Sequence, residues 1–209
     1  MKAYPLLVVT AVTAEADAVR GDLDPGDVVV EAVGVGPAAA AAGTARLLAG
    51  RAFRAVISAG IAGGFPGRAD VGALVIATRS IAADLGAESP EGFLPIEELG
   101  FGTSVLEADP RLLKTLQTAL PGAVAGDVLT LATVTGTAAT ADRLADRFPQ
   151  AAAEAMEGYG VAAAAAGAGV PFAELRAVSN PIGPRDRAAW RLGDAFAALR
   201  AAAPALAAL

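Results

Sequence analysis

Short apolar runs recur along the chain, separated by stretches in which apolar residues return every three or four positions. The runs at 6–12, 28–33, 55–59, 73–78, 127–133 and 173–178 are rich in Val, Ile and Leu. They read as strands buried on both faces. The stretches at 37–49, 109–119, 138–147, 151–166 and 188–202 read as helices. Local punctuation agrees with these boundaries. Asp109-Pro110 offers an N-cap followed by proline at the first helical position. Gly34-Val35-Gly36-Pro37 joins a strand to a helix, and Asn180-Pro181-Ile182-Gly183-Pro184 forms a stiff loop after the last strand. Strands alternating with helices predict an α/β class: a single three-layer domain over 1–209, its central sheet mostly parallel, mixed and twisted, with helices on both faces. Residues 84–102 break the rhythm with two prolines and four glycines. A long irregular insert of that kind usually serves function.

Composition narrows the chemistry. The 209 residues suffice for one well-buried domain, and 55% of them are hydrophobic. Alanine and glycine supply much of that fraction, and small side chains let helices lie close to a sheet. The net charge is −6, with 22 acidic and 16 basic side chains, the arginines scattered and lysine confined to Lys2 and Lys114. Such a chain repels a phosphate backbone, so no nucleic-acid partner is expected. Cysteine and histidine are both absent. That excludes disulfides, Cys/His zinc sites, cysteine nucleophiles and Ser-His-Asp triads. Catalysis falls to carboxylates, amides, hydroxyls, arginines or backbone dipoles, with no metal or cofactor expected. The lack of cysteine fits a cytoplasmic location. Lys2 and the following apolar run loosely imitate a signal peptide, but the run reads better as a first buried strand. The uncharged stretch 158–173 is short of the roughly 18–20 strongly apolar residues of a membrane span, so no membrane partner is expected.

Several local patterns carry chemistry, each with a plainer alternative. Gly34-Val35-Gly36-Pro37-Ala38-Ala39 matches G-x-G-x-x-A at a strand-to-helix turn, as in dinucleotide binding. The acidic residue wanted about 20 positions later is replaced by Arg51 and Arg54, which favours a tight turn with close helix packing. Ala59 to Gly64 reads either as a glycine-rich turn facing a ligand or as an ordinary one. Glu15 follows the first strand, where an acidic residue in a first helical turn also suits the helix dipole. Glu157 stands alone in an uncharged run, so it needs hydrogen-bond donors from ribose hydroxyls or from backbone. Asn180, held stiff by Pro181, projects either into a site or into an Asx turn.

Taken in order, these pieces resemble the nucleoside phosphorylase superfamily over nearly the whole chain. The likeness lies in Glu15 after the first strand, Val33-Gly34-Val35-Gly36 before the second helix, Ala59 to Gly64, Val71 to Val75, Phe148-Pro149-Gln150 ahead of Met156-Glu157, and Arg176 to Asn180. The nearer likeness is to its hydrolytic branch, the methylthioadenosine/S-adenosylhomocysteine nucleosidases and the futalosine hydrolases of menaquinone biosynthesis. The resemblance implies a nucleoside phosphorylase-like fold, a small-molecule nucleoside as substrate and a homo-oligomer. It implies that Glu15 activates the attacking water and that Glu157 holds the ribose hydroxyls, with Met156 against the sugar. Asn180 and Ser179 would face the purine, and Ala62 and Gly63 would line the pocket beside sugar and base. The methylthioadenosine enzymes carry aspartate where this chain has Asn180. An amide NH₂ can donate to O6 of a 6-oxopurine, which points to hypoxanthine and to the futalosine hydrolases. The segment 84–102 points the same way. No aromatic residue near Gly136 matches the one that stacks on the base in the nucleosidases. Phosphorolysis is the nearest rival, though Gly60 to Gly64 holds no basic residue for phosphate. A nucleoside-binding sensor and an NADP-dependent reductase are the others.

Overall fold

The computed structural model describes residues 4–209, so Lys2 of the signal-like pattern lies outside the described residues. The chain runs β1 (Leu6–Thr10), α1 (Thr13–Arg20), β2 (Val28–Ala32), α2 (Pro37–Gly50), β3 (Ala55–Gly64) and β4 (Leu74–Ala82). It continues through β5 (Gly86–Ser89), β6 (Gly92–Pro95), β7 (Val105–Glu107), α3 (Pro110–Ala119), β8 (Val124–Thr130) and α4 (Ala138–Arg147). The last elements are β9 (Ala151–Ala155), α5 (Gly158–Ala168), β10 (Phe172–Pro181) and α6 (Leu192–Ala207).

The sheet is mixed and mostly parallel, and it closes on itself. β3 pairs β1 along its first half and β10 along nearly all its length. β10 also pairs β4, β4 pairs β8, β8 pairs β9, and β9 returns to the end of β3 at Gly63 and Gly64. Five strands thus form a ring, with β1 and β2 extending from it through β3. The ring is narrow enough to be filled by small side chains: Ala62, Val75, Ala77, Val128, Ala153 and Val178 share one cluster.

Successive residues on a buried strand face opposite layers. Leu6 and Val8 join a core with Leu116 of α3 and with Ala195 and Leu199 of α6. Leu7 and Val9 join the other, with Ala40 of α2 and Val161 and Ala165 of α5. α2 and α5 come together at Gly160, where any Cβ would overlap the backbone of Pro37. Asp109 caps α3 by accepting from the N–H groups of Arg111 (2.9 Å) and Leu112 (3.1 Å).

Two expectations need correction. Residues 151–155 are a strand rather than the start of a helix, which begins only at Gly158. Alanine favours helix intrinsically, but pairing with both β8 and β3 buries all five residues and decides the matter. Ala59 to Gly64 is not a turn. β3 runs straight through to Gly64. The irregular insert contains the β5–β6 hairpin, and β7, which follows it, pairs with β4.

Candidate active site

β3 leaves β1 after Ser58 and takes β9 as its neighbour at Gly63. A crevice opens where the two partners diverge, at the carboxyl ends of β1, β9 and β10, as expected where strand order switches. It is a cavity of about 270 Å³.

Glu15 enters this cavity from the first turn of α1 and is nearly fully buried. Its Oε2 accepts from the N–H groups of Ala11 (3.0 Å) and Val12 (3.2 Å), and its Oε1 accepts from Ile61 N–H (2.9 Å). Three backbone donors fix the carboxylate, and one lone pair of Oε1 stays uncommitted. Gly60 makes the approach possible. A Cβ there would stand 2.7 Å from both Glu15 Oε1 and Arg176 Nη1.

Arg176 on β10 is wholly buried behind Glu15. Its Nε donates to Glu174 Oε1 (2.8 Å), its Nη2 to Ser58 Oγ (3.0 Å) and its Nη1 to Glu157 Oε2 (3.5 Å). Glu174, also wholly buried, accepts in addition from Ser80 Oγ. Burial pulls the guanidinium pKa down, but Glu174, Glu157 and Glu15 outweigh it and the net shift is upward. Burial dominates at Glu174 and pushes its carboxyl up against the pull of Arg176. One guanidinium therefore pairs with Glu174 and Glu157 and is held further by the nearby Glu15.

Glu157 follows β9 at the N-cap of α5. Gly36 N–H donates to its Oε1 (3.1 Å), and Met156 N–H lies 3.3 Å from its Oε2. Gly36 has φ of 89°, a region that favours glycine. The G-x-G-x-x-A turn thus spends a backbone N–H on a carboxylate from across the fold.

Ala62 and Gly63 form the cavity wall on β3, with Ser179 and Asn180 beside them on β10. The β3–β10 register shifts between Val178 and Asn180, a bulge that re-aims the side chains that follow. Asn180 Nδ2 donates to Pro181 O (2.9 Å), and its Oδ1 accepts from Ser179 Oγ (2.8 Å). The carbonyl of Pro181 can only accept, so the nitrogen must face it, and the amide keeps a second N–H.

The cavity brings together Glu15, Ala62, Gly63, Met156, Glu157, Ser179 and Asn180, the seven residues that the resemblance singled out. It also holds Glu154 and Thr135, which the sequence reading passed over. Glu154 was legible as the only charge in the run Ala151 to Ala155, but treating that run as helix hid its direction. Burial pushes its carboxyl up, opposed in part by hydrogen bonds from Thr135. Trp190 and Arg185 also line it, and the Arg187 guanidinium lies over the Trp190 ring at 6.0 Å. Gly136 contributes its carbonyl to Arg185 N–H (3.2 Å). Arg185 is the one cation among the described residues that line the cavity. Arg20 is occupied instead with Asp17 and Val30 O, and Arg46 is exposed.

A profile of the phosphorylase superfamily matches residues 4–209. The chain belongs to the phosphorylase superfamily. Among its relatives, a futalosine hydrolase from Streptomyces coelicolor is 54% identical, over 93% of this chain and 91% of that one. One from Acidothermus cellulolyticus is 49% identical over 94% and 90%. Solved superfamily structures share the fold. The methylthioadenosine/S-adenosylhomocysteine nucleosidase of Neisseria meningitidis superposes with a TM-score of 0.83 at 21% identity, over 99% of this chain and all of that one. Futalosine hydrolase of Helicobacter pylori gives 0.83 at 16%, over 97% of each.

Proposed function

We propose that this protein hydrolyses the N-glycosidic bond of futalosine, releasing hypoxanthine in menaquinone biosynthesis. One observation carries the reading: Glu15 and Glu157 converge on buried Arg176 at the wall of a single cavity, each with acceptor capacity left over. Identity above 50% to a futalosine hydrolase over nearly the whole chain supports the choice of nucleoside.

Cleavage at C1′ passes through an oxocarbenium-like state, with positive charge growing on the sugar. The carboxylates of Glu15 and Glu157, gathered at one buried guanidinium, meet that charge in a largely buried site. Glu15 takes the proton of a water through its free Oε1 lone pair as the water oxygen bonds C1′. Glu157 accepts from the ribose hydroxyls, and Met156 packs against the ring. The C1′–N9 electrons pass to the base, which Asn180 steadies through its spare N–H, and the departing base takes up a proton. Ser179 holds the amide in place. Ala62 and Gly63 leave room for the flat base.

Phosphorolysis would require a cluster of cations at the sugar, and among the described residues lining the cavity Arg185 is the one cation. Futalosine incubated without phosphate should therefore release hypoxanthine at full rate and yield the free sugar. A strict phosphate requirement, read by chromatography of the products, would overturn the hydrolytic reading. The same reading places the enzyme in the cytoplasm as a homo-oligomer. Exposed Val12 and Val35 beside the cavity are suited to cover by a second copy.

A further inference from the structure

Glu174 is a wholly buried carboxylate that the hydrolytic steps do not use. It stands on β10 paired with Ser58 of β3, two residues before Arg176, which is paired with Gly60. Residues two apart on a strand, and residues paired across strands, project to the same face. Glu174, Ser58 and Arg176 therefore share one face, and the Arg176 side chain folds back over the other two. Its Nε donates to Glu174 Oε1 (2.8 Å) and its Nη2 to Ser58 Oγ (3.0 Å). Nε and Nη2 form one edge of the guanidinium, and two contacts on an edge fix the plane of a rigid, delocalised group. Nη1 is left on the opposite side, 3.5 Å from Glu157 Oε2 and crowding the same space over Gly60 as Glu15 Oε1.

The carboxylate that sets this plane is itself held. Ser80 of β4 donates its hydroxyl to Oε2. Against the carboxyl group lies Gly158, the first residue of α5, where any Cβ would press on both carboxylate oxygens. Gly158 directly follows Glu157. Glu174 thus meets Glu157 by two routes, through the guanidinium and through the backbone of the next residue. The distances separate the two partners of Arg176. Glu174 is the closer at 2.8 Å, and Glu157 at 3.5 Å is the looser. Without the closer acceptor, the guanidinium would pivot about its Ser58 bond and close on Glu157, the nearest remaining partner of opposite charge. Nη1 would then take acceptor capacity that Glu157 otherwise keeps for the sugar hydroxyls.

We propose that Glu174 is a positioning residue for sugar recognition, holding Arg176 off Glu157 so that Glu157 keeps its acceptors for the ribose hydroxyls. The inference rests on the hydrolase reading for the role of Glu157. Ser80 acts one step further back, by fixing the Glu174 carboxyl group. Neither is among the described residues that line the cavity, so both act through Arg176 and Glu157. An ion pair that only supported the fold would change the turnover of every nucleoside alike. A positioning role instead separates nucleosides by their 2′-hydroxyl.

The test compares futalosine with its 2′-deoxy analogue in the parent, Glu174→Met, Glu174→Gln and Ser80→Ala. Methionine is close to glutamate in size and offers Nε no oxygen. The ratio of kcat/KM for the ribonucleoside over the deoxynucleoside should fall about tenfold in Glu174→Met, because a charge-assisted contact to the sugar is lost. Glutamine keeps an oxygen for Nε, so Glu174→Gln should hold the ratio near the parent's. An unchanged ratio in folded Glu174→Met, or an equal fall in both variants, overturns the proposal. Ser80→Ala decides where Glu174→Met does not fold. It leaves Glu174 in place but frees its Oε2, and should lower the ratio by about threefold; no change overturns the proposal. Calorimetric binding of inosine and 2′-deoxyinosine reads the same contrast without turnover. If the parent leaves futalosine intact, yet its preference for inosine shrinks in Glu174→Met or Ser80→Ala, the hydrolase reading fails and Glu174 keeps its role. If the parent cleaves futalosine and both contrasts stay fixed in the variants, only the role of Glu174 fails.

Discussion

A single methyl group at Gly60 would press on Arg176 and Glu15 together, at 2.7 Å from an atom of each. Both side chains are buried and bonded, so neither can give way cheaply. Gly60→Ala should lower kcat/KM for futalosine by more than tenfold through displacement of Glu15, the carboxylate proposed to activate water. Hypoxanthine binding, measured by calorimetry, should change little, since the proposed reading puts the base beside Asn180, beyond Gly63. Equal loss in rate and in base binding would place the damage in the fold rather than at Glu15. At this scale the chain was largely legible. Glu15, Glu157 and Asn180 were visible because each is a polar side chain beside a strand end or in an apolar run. Glu154 was not, because its place at the cavity depends on strand pairing with Gly63, about which local sequence is silent.

Among the elements, β3 and β10 announced themselves through Val, Ile and Leu, whereas β9 is written almost wholly in alanine. Alanine carries a helical preference and little hydrophobic periodicity, so only partners decide its state. The ring explains the choice, since larger side chains on β9 would not fit among Val75, Ala77 and Val128. The same economy governs the contact between α2 and α5. Gly160 sits where a Cβ would overlap Pro37, the first residue of α2. Gly160→Ala removes a conformationally expensive glycine from a helix, which by itself would be favourable. The overlap should win, at about 1–3 kcal/mol of overpacking. Urea unfolding should show a lower midpoint with an unchanged slope. A midpoint at or above the parent's would mean that the two helices separate freely. A lost Gly36–Glu157 bond would also lower activity, because the same turn holds the carboxylate.

For the molecule as a whole, buried carboxylates make stability depend on pH. Burial raises the carboxyl pKa of both Glu154 and Glu174 above ordinary carboxylate values. A raised folded value means that the native state holds the proton more tightly than the unfolded chain. The resulting stability is fully present below the unfolded pKa and is lost as pH rises through the folded one. Glu154→Gln removes one such group. Melting curves should show the variant gaining on the parent as pH climbs from the ordinary carboxylate range through the raised value. A difference that stays constant with pH would contradict a burial-shifted Glu154. Closure of the strand ring carries a different consequence, for the order of events during folding. The site is stitched by contacts between residues 117 and 121 positions apart, Ser179 with Ala62 and Gly36 with Glu157. Such distant pairings form late, after the entropy of closing long loops has been met. A nascent chain can build β1, α1, β2 and α2 early, yet it owns no cavity for a nucleoside until β9 and β10 have been synthesised and docked. Catalytic competence is therefore a property of the finished topology, and partly folded chains are inert toward the nucleoside.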